Sequence, residues 1–387
     1  MKQKTMLLAS ALLMAAMPAY AQQKSVKIGF VSTFSGPTAV IGNDMRNSFE
    51  VALDHMGRKM GGLPVEVIYE ARDAFSRKLV LDKGQQHGVI IAGIIWSNVL
   101  LASLKTAVDS KTFLISANAG PSQIAGELCN PYFFTTSWQN DQTPQAMGIY
   151  MNQKGVKSAF LINPNYAAGK DMASGVKSTF KGKIVGEEYT VWPSQLDFSA
   201  ELSKARASGA DAIFAFYPGA AGVQFLNQYV QAGMKQQIPL YTAYMIDELS
   251  LPLQKENALG IPGAQEWVND LPNEQNKKFV ADYRAKYPGK RPSYYGAQAY
   301  DAAQLINSAV VGVKGDLTKK DDMIAVMKKA DFKSVRGNFK YGNNHFPIQN
   351  FYLQEVVKGA DGELSLKTMA TIVENAQDNY HTKCPMK

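Results

Sequence analysis

The stretch IIAGIIWSNVLLASLKTAVDSKTFLISANAGPS, residues 90–122, decides the fold predicted for this chain. Two apolar runs rich in β-type residues, Val89–Ile95 and Thr112–Ile115, each lead into a short polar loop. Between the two runs, Leu100, Leu104 and Ala107 recur at the spacing of a helix that has one buried face. The stretch therefore predicts a strand, a helix and a second strand, which is the βαβ unit of a parallel sheet.

The loops that follow these two strands have the composition of a binding site. The first loop contains Trp96, Ser97 and Asn98, and the second is SANAG at residues 116–120. In open α/β sheets, ligands bind at the carboxyl ends of the strands, on loops of this kind. Ser97 or Asn98 is expected to cap the helix and to leave backbone N–H groups directed into the same crevice. The alternative is an ordinary βαβ unit in which Trp96 belongs to the core.

The first 21 residues have the pattern of a secretory signal peptide. Lys2 and Lys4 precede the apolar run Met6–Ala16, and small residues surround a cleavage point after Ala21. The apolar run is shorter than the roughly 18 to 20 residues that span a membrane, and no cysteine follows the cut. The sequence therefore predicts a soluble protein exported to the periplasm.

Composition and cysteine usage exclude several classes. The formal net charge of +8 is spread in ones and twos without interleaved aromatic residues, so a nucleic-acid partner is not expected. Cys129 and Cys384 are the two cysteines, and an even count in an exported chain predicts a disulfide that ties the tail to the first half. The scattered cysteines and four histidines have no metal-ligand spacing, so neither a metal nor another cofactor is expected.

Strand-like and helix-like segments alternate along most of the chain, which predicts an α/β fold with parallel sheets and crossover helices. One series begins at Val26–Val31 and a second at Ser158–Ile162, and removal of residues 1–21 leaves 366 residues (387 − 21), a length that suits two domains. The elements after Gly260 are too few for a third domain and are expected to complete the first two. The predicted first lobe comprises residues 22–143 and 273–345, and the second lobe with the tail comprises residues 144–272 and 346–387.

Several short motifs occur together in the order and spacing of a known family. They are VKIGF at 26–30, SGP at 35–37, a glycine pair at 61–62, NPNYAAG at 163–169, YPGAAG at 217–222 and YDA at 300–302. With these motifs, the chain after residue 21 resembles the periplasmic solute-binding proteins of the branched-chain amino-acid type, the receptors of ABC importers. The resemblance implies the type I periplasmic binding protein fold, in which two Rossmann-like lobes are joined by three hinge strands. It also implies a monomer that clamps a small solute and presents it to a membrane permease, without catalysis.

The resemblance assigns ligand contacts in the first lobe. Amino-acid-binding members offer a serine to the ligand carboxylate from the loop after the fourth strand, and this chain has Trp96 there, beside Ser97 and Asn98. The next contact loop of the family offers small residues and a threonine. The matching positions in this chain are Asn118, Ala119 and Gly120. An aromatic contact of the family falls near Ile41.

The second lobe departs from the family where the ligand's ammonium group would bind. Family tyrosines match Tyr166 and Tyr217, but the acid that pairs with the α-ammonium falls near Tyr244, which is not an acid. Asp247 and Glu248 lie three and four residues further on, and a small shift in the alignment would restore an acid there. A buried ammonium needs a partner, so the loss of this acid predicts a different ligand.

The ligand predicted from these departures is a carboxylate with an aromatic body. An indole and tyrosines favour aromatic packing, and hydroxyls, amides and helix N-termini bind a carboxylate without a cation. Trp96-Ser97-Asn98 and WQNDQ at 138–142 also resemble the receptors of benzoate- and coumarate-type acids. A branched-chain or other amino acid is the alternative ligand, and a ligand-sensing receptor or regulatory subunit of the same fold is the alternative class.

An exported enzyme is the competing interpretation, and the sequence does not favour it. The histidines at positions 55, 87, 345 and 381 have no nucleophile motif nearby, and the G-x-S-x-G, H-E-x-x-H and P-loop motifs do not occur. No catalytic residue is therefore predicted.

Overall fold

The computed structural model of this protein describes residues 25–36, 38–71 and 90–386. The predicted signal peptide lies outside these ranges. The described residues form two α/β lobes, each built on its own sheet, as the alternation of strand and helix patterns predicted.

The sheet of the first lobe has six strands in the order β2-β3-β1-β4-β5-β6. Its strands are β1 (Val26–Ser32), β2 (Lys59–Met60), β3 (Leu63–Ala71), β4 (Ile90–Gly93), β5 (Leu114–Ser116) and β6 (Phe133–Thr135). Its helices include α1 (Ala39–His55), α2 (Ser97–Asp109) and α3 (Ser122–Ala125). All strand pairs except β2 with β3 are parallel, so the carboxyl ends of β1, β4 and β5 lie at one edge of the sheet.

The βαβ unit predicted from residues 90–122 is confirmed. Ile91 pairs with Leu114 and Gly93 with Ser116 in parallel register, and α2 connects the two strands. The predicted side-chain cap is wrong. Trp96 is the N-cap residue in an extended conformation, and no side chain caps the helix, because an indole offers no oxygen acceptor and Ser97 is already the first helical residue.

The second lobe has an eight-stranded sheet in the order β12-β13-β11-β10-β9-β7-β8, with β14 paired to β13. Its strands are β7 (Ser158–Pro164), β8 (Lys183–Thr190), β9 (Ala212–Ala215), β10 (Leu240–Ala243), β11 (Gly263–Gln265), β12 (Lys340–Tyr341), β13 (Pro347–Lys358) and β14 (Leu364–Ala376). The helices from residue 142 to residue 254 are α4 (Gln142–Gln153), α5 (Ala167–Thr179), α6 (Ser199–Ala207), α7 (Ala220–Gln231) and α8 (Leu251–Gln254).

The last three helices are α9 (Glu274–Lys286), α10 (Tyr294–Gly312) and α11 (Lys320–Lys329). Helix α10 packs closely on α1, because Gly296 leaves room for the side chains of Ser48 and Asp44. The Asp44 carboxylate accepts hydrogen bonds from the backbone and hydroxyl of Ser293, the N-cap residue of α10, at 3.1 and 2.6 Å. Helix α10 is therefore packed and hydrogen-bonded against α1 of the first lobe.

The chain passes between the lobes three times: from β6 to α4, from β11 to α9, and from α11 to β13. The Cys129–Cys384 disulfide is confirmed, with the two Cα atoms 5.6 Å apart, and it fixes the C-terminal tail to the first lobe. Within the described ranges, no helix is long and apolar enough to span a membrane.

Arg336 joins two of these passages at the hinge. Its side chain is 4% exposed, and its Nε and Nη2 donate to the Asp301 carboxylate of α10 at 3.1 and 3.0 Å. Nη1 donates to the Ser137 carbonyl at 3.0 Å and to Gln349 Oε1 at 2.6 Å, and Nη2 also donates to the Thr136 carbonyl. All five N–H groups of the guanidinium therefore have acceptors, and one side chain holds the first passage, the third passage and α10 together.

We predict that Arg336→Ala lowers the free energy of unfolding by about 3–5 kcal/mol, because it leaves the Asp301 carboxylate buried without its cation. Chemical denaturation of wild type and variant measures this. Lys105→Ala is the control, since it removes an exposed ion pair with Asp109 that is worth at most about 1 kcal/mol. Equal losses in the two variants would contradict the role given to Arg336.

Candidate binding site between the lobes

The candidate site lies where the carboxyl ends of strands from both sheets face each other. Loops after β4, β5, β7, β9 and β10 enclose a small buried cavity of about 10 Å³, which is near the lower limit for one water molecule. Its lining residues are Ile95, Trp96, Ser97, Asn118, Ala119, Trp138, Asn140, Tyr166, Ala168, Met172, Phe216, Pro218, Tyr244, Tyr294 and Tyr295. The two lobes therefore contact each other around an aromatic centre.

Trp96 separates this inner cavity from an outer cavity of about 210 Å³. Its ring lies 5.2 Å from that of Trp192 and 6.4 Å from that of Tyr166, and Tyr166 stacks on Trp192 with centroids 5.2 Å apart. Its Nε1 donates to the Thr33 hydroxyl oxygen at 3.0 Å. The outer cavity is lined by Thr33, Phe34, Ser35, Thr38, Trp96, Trp192, Pro193, Leu196, Pro218, Ala220 and Ala221. The indole of Trp96 thus forms a wall of both cavities.

Tyr244 forms the opposite aromatic wall. It has a φ of 57°, an uncommon conformation for a residue other than glycine, asparagine or aspartate. Its ring stacks on Trp138 with the centroids 4.2 Å apart. Its hydroxyl is hydrogen-bonded to Thr143, and Glu266 lies close to it. Tyr244 therefore links the cavity wall to the hinge.

Asn140 is the centre of a polar network that crosses from lobe to lobe. Its Nδ2 donates to the Ser97 hydroxyl oxygen at 3.1 Å and to the Asp171 carboxylate at 2.9 Å. Its Oδ1 accepts from the Gly120 N–H and from Trp138 Nε1, both at 3.2 Å. Asp171, on α5, also accepts from the backbone and hydroxyl of Ser122 on α3. Burial raises the pKa of Asp171, and its hydrogen bonds with Asn140 and Ser122 oppose that increase.

The structure brings together most of the residues predicted from the sequence. Trp96, Ser97, Asn118, Ala119, Tyr166 and Tyr244 all line the inner cavity. Gly120 does not line the cavity but lies against the backbone of Trp138, where a Cβ would overlap the Trp138 carbonyl. Its contribution to the site is the backbone N–H that holds Asn140.

Three predicted contacts lie elsewhere. Asn98 is exposed on α2, and Ile41 packs in the core near Gly219. Tyr217 packs between Phe198 and Phe225 in the second lobe, and its hydroxyl bonds to Thr190 at 2.8 Å. None of the three lines either cavity, so their predicted ligand contacts remain predictions.

Asp247 and Glu248, the two acids that could pair with a ligand ammonium, form hydrogen bonds within the protein. The Asp247 carboxylate accepts from the backbone N–H groups of Leu249 and Ser250, and Glu248 accepts from Asn269. Among the described residues, no charged side chain lines either cavity. The cavity walls consist of aromatic rings, hydroxyls, amides and aliphatic groups.

Sequence reasoning missed Thr33, Asn140, Asp171, Trp192 and Glu266. Asn140 lies in the segment at residues 138–142 that resembles the aromatic-acid receptors, and the other four residues lie outside the sequence motifs. A larger groove of about 780 Å³ lies between α1 and residues 248–255. It includes none of the loops directly after β4, β5, β7 and β9, and its buried Asp44 is engaged in the packing of α10. We therefore regard the two cavities beside Trp96 as the candidate site.

Known proteins are similar to this chain over nearly its whole length. A family model described as "Periplasmic binding protein" matches residues 25–362. The Leu/Ile/Val-binding protein homolog 6 of Brucella melitensis is 29% identical over 375 residues, which cover 92% of this chain and 94% of that protein.

Two crystal structures of solute-binding proteins of ABC transporters share the fold. One, from R. palustris in complex with benzoate, has a TM-score of 0.87 at 29% identity and covers 94% of this chain and 100% of that chain. The other, from Rhodopseudomonas palustris BisB5 in complex with 3,4-dihydroxy benzoic acid, has a TM-score of 0.85 at 27% identity and covers 92% of this chain and 99% of that chain.

The buried acid Glu266 at the hinge should make the stability of the protein depend on pH. Burial raises its pKa to about 7, although Arg336, Gln298 and Tyr244 oppose that increase. The folded protein therefore binds a proton that the unfolded chain releases at lower pH, and stability falls as the pH rises from about 4.5 to about 7. We predict that wild type loses more stability between pH 5 and pH 8 than Glu266→Gln does, by about 1.4 kcal/mol per unit of pKa elevation.

Denaturation of both proteins at several pH values measures this difference, since the other titrating groups are common to both. Glu127→Gln, an exposed site on the first lobe, is the control and should follow wild type. Parallel profiles for wild type and Glu266→Gln would show that Glu266 has the same pKa in the folded and unfolded chains.

Proposed function

The chain belongs to the periplasmic binding protein family, and on this premise we propose that it captures a small aromatic carboxylate between its two lobes. It is a periplasmic solute-binding protein of the branched-chain amino-acid type, a component of an ABC transporter. The observation that supports the proposal is the composition of the cavity walls. Aromatic rings from both lobes line the cavities, and no charged side chain among the described residues does so.

An amino acid would bring a buried ammonium into this site without a carboxylate to pair with it, and that desolvation is costly. An aromatic ligand, by contrast, can pack edge-to-face or offset against rings such as Trp96, Tyr166 and Tyr244, worth about 0.5–1.5 kcal/mol beyond the buried area. The inner cavity of about 10 Å³ is too small for such a ring, so the lobes must move apart at the hinge to admit it. The solved neighbours in complex with benzoate and 3,4-dihydroxy benzoic acid support this ligand class.

The carboxylate of such a ligand has donors available in the site. The hydroxyl oxygens of Thr33 and Ser97 accept from Trp96 and Asn140, so their own hydrogens remain available to donate. The first turn of α2 begins at Ser97, and its backbone N–H groups add the favourable field of a helix N-terminus. These groups can hold a carboxylate without a lysine or arginine.

We propose hinge closure as the mechanism. Trp96, Ser97 and Asn118 hold the solute on the first lobe, and Tyr166 and Tyr244 then close over it from the second. The ligand drives closure because it gains the second-lobe contacts only in the closed form. The closed lobes then present a single surface to the permease of the importer.

The first prediction of this proposal concerns ligand class. In a thermal shift assay, aromatic carboxylates such as benzoates and cinnamates should stabilise the protein, and leucine, isoleucine and valine should not. A ligand at about 100 times its Kd contributes about 2.7 kcal/mol, which raises the Tm by a few degrees. A response to the aliphatic amino acids alone would contradict the aromatic assignment and favour an amino-acid receptor.

The second prediction distinguishes a residue that contacts the ligand from a residue that only packs in the core. Trp96→Ala should weaken binding of the responding ligand at least about tenfold, or about 1.4 kcal/mol, in isothermal titration calorimetry. Tyr217→Phe is the matched control, because its hydroxyl bonds to Thr190 inside the second lobe. It should lower stability by about 1 kcal/mol and keep wild-type affinity. Wild-type affinity in Trp96→Ala would remove Trp96 from the site.

A further inference from the structure

The amide of Asn118 has a defined orientation in the inner cavity. The residue follows β5, is 7% exposed and lines the cavity. Its Nδ2 donates to the Ile95 carbonyl at 2.8 Å. A flipped amide would place two oxygen acceptors against each other, so the hydrogen-bond network assigns Oδ1 to the opposite side of the amide.

Asn118 Oδ1 is buried and has no hydrogen-bond donor among the described residues. Three backbone donors of its loop are engaged: Ala117 donates to the Gly93 carbonyl, Ala119 to the Ile94 carbonyl, and Gly120 to Asn140. The Nδ2 group of Asn140 donates to Ser97 and Asp171 and is also occupied. Asn118 thus lines the cavity with one acceptor that has no protein donor among the described residues, whereas buried acceptors are normally satisfied.

We propose that Asn118 is a specificity-determining residue that accepts a hydrogen bond from a hydroxyl group of the ligand. The inference rests on the proposed function and narrows it: the site takes aromatic carboxylates that carry a hydroxyl in preference to those that do not. Asn118 Oδ1 repels a carboxylate, so the acid group binds at the Ser97 or Thr33 donors and the hydroxyl group binds at Asn118.

A site that hydrogen-bonds a ligand hydroxyl rejects the analogue without it, because the buried polar group of the protein then stays unpaired. The comparison needs ligands of equal size. The three hydroxybenzoate isomers and the three methylbenzoate isomers form such pairs, since a methyl group has nearly the volume of a hydroxyl. Testing all three ring positions makes the comparison independent of how the ring is oriented.

Calorimetric titration of wild type with these six ligands and benzoate tests the proposal. At least one hydroxybenzoate should bind about tenfold or more tightly than its methyl counterpart. In Asn118→Leu, which keeps the side-chain size and removes the acceptor, this ratio should fall to about one. Gln237→Leu, an exposed amide in the second lobe, is the control and should keep the wild-type ratio.

Two results would overturn the inference: hydroxyl and methyl partners that bind wild type equally, as expected if a water molecule satisfies Oδ1, or an unchanged ratio in Asn118→Leu. If Asn118→Leu does not fold by circular dichroism, Asn118→Ala replaces it, and the wild-type ratio decides independently. Failure of the proposed function gives a different result, because wild type then binds none of the seven aromatic carboxylates.

Discussion

The buried guanidinium of Arg336 is the interaction on which the arrangement of the lobes depends. A cation with 4% exposure is stable only if every N–H finds an acceptor, and here the acceptors come from the first passage, from β13 and from α10. Because the planar donor fork is rigid, it fixes the relative positions of these segments. The hinge is therefore a hydrogen-bonded junction as well as a set of connecting strands.

Helix α10 transmits this constraint to the binding site. Asp301 anchors the helix to Arg336. The backbone carbonyl of Gln298 accepts a hydrogen bond from the Thr136 hydroxyl, and its side-chain Nε2 donates to Glu266. One turn earlier, Tyr294 and Tyr295 line the inner cavity. The aromatic wall of the first lobe is thus attached to the same helix that holds the hinge, and Glu266 and Tyr244 continue the connection into the second lobe.

The site itself combines an apolar wall with polar groups that are mostly satisfied. Asn140 uses both donors and its acceptor within the protein and connects Ser97 to Asp171 across the lobes. Acids lie one residue behind the cavity walls, at Asp171 and Glu266, but do not line the cavities. The network therefore sets the shape of the candidate site, whose walls offer rings, hydroxyls and the Asn118 amide, the Oδ1 of which has no hydrogen-bond partner among the described residues.

The sequence by itself determined the alternation of strands and helices, the βαβ unit at residues 90–122 and the disulfide, because apolar periodicity is local and only two cysteines are present. It also predicted the strand-end loops that line the candidate site. Tertiary structure alone decided which side chain of each loop faces the cleft. Phe214 and Phe216 pack in one core and Ala215 and Tyr217 in the other, so adjacent residues of one extended segment face opposite sides. Trp192, from a segment distant in sequence, meets Trp96 only when the lobes come together, since no local pattern encodes such a contact.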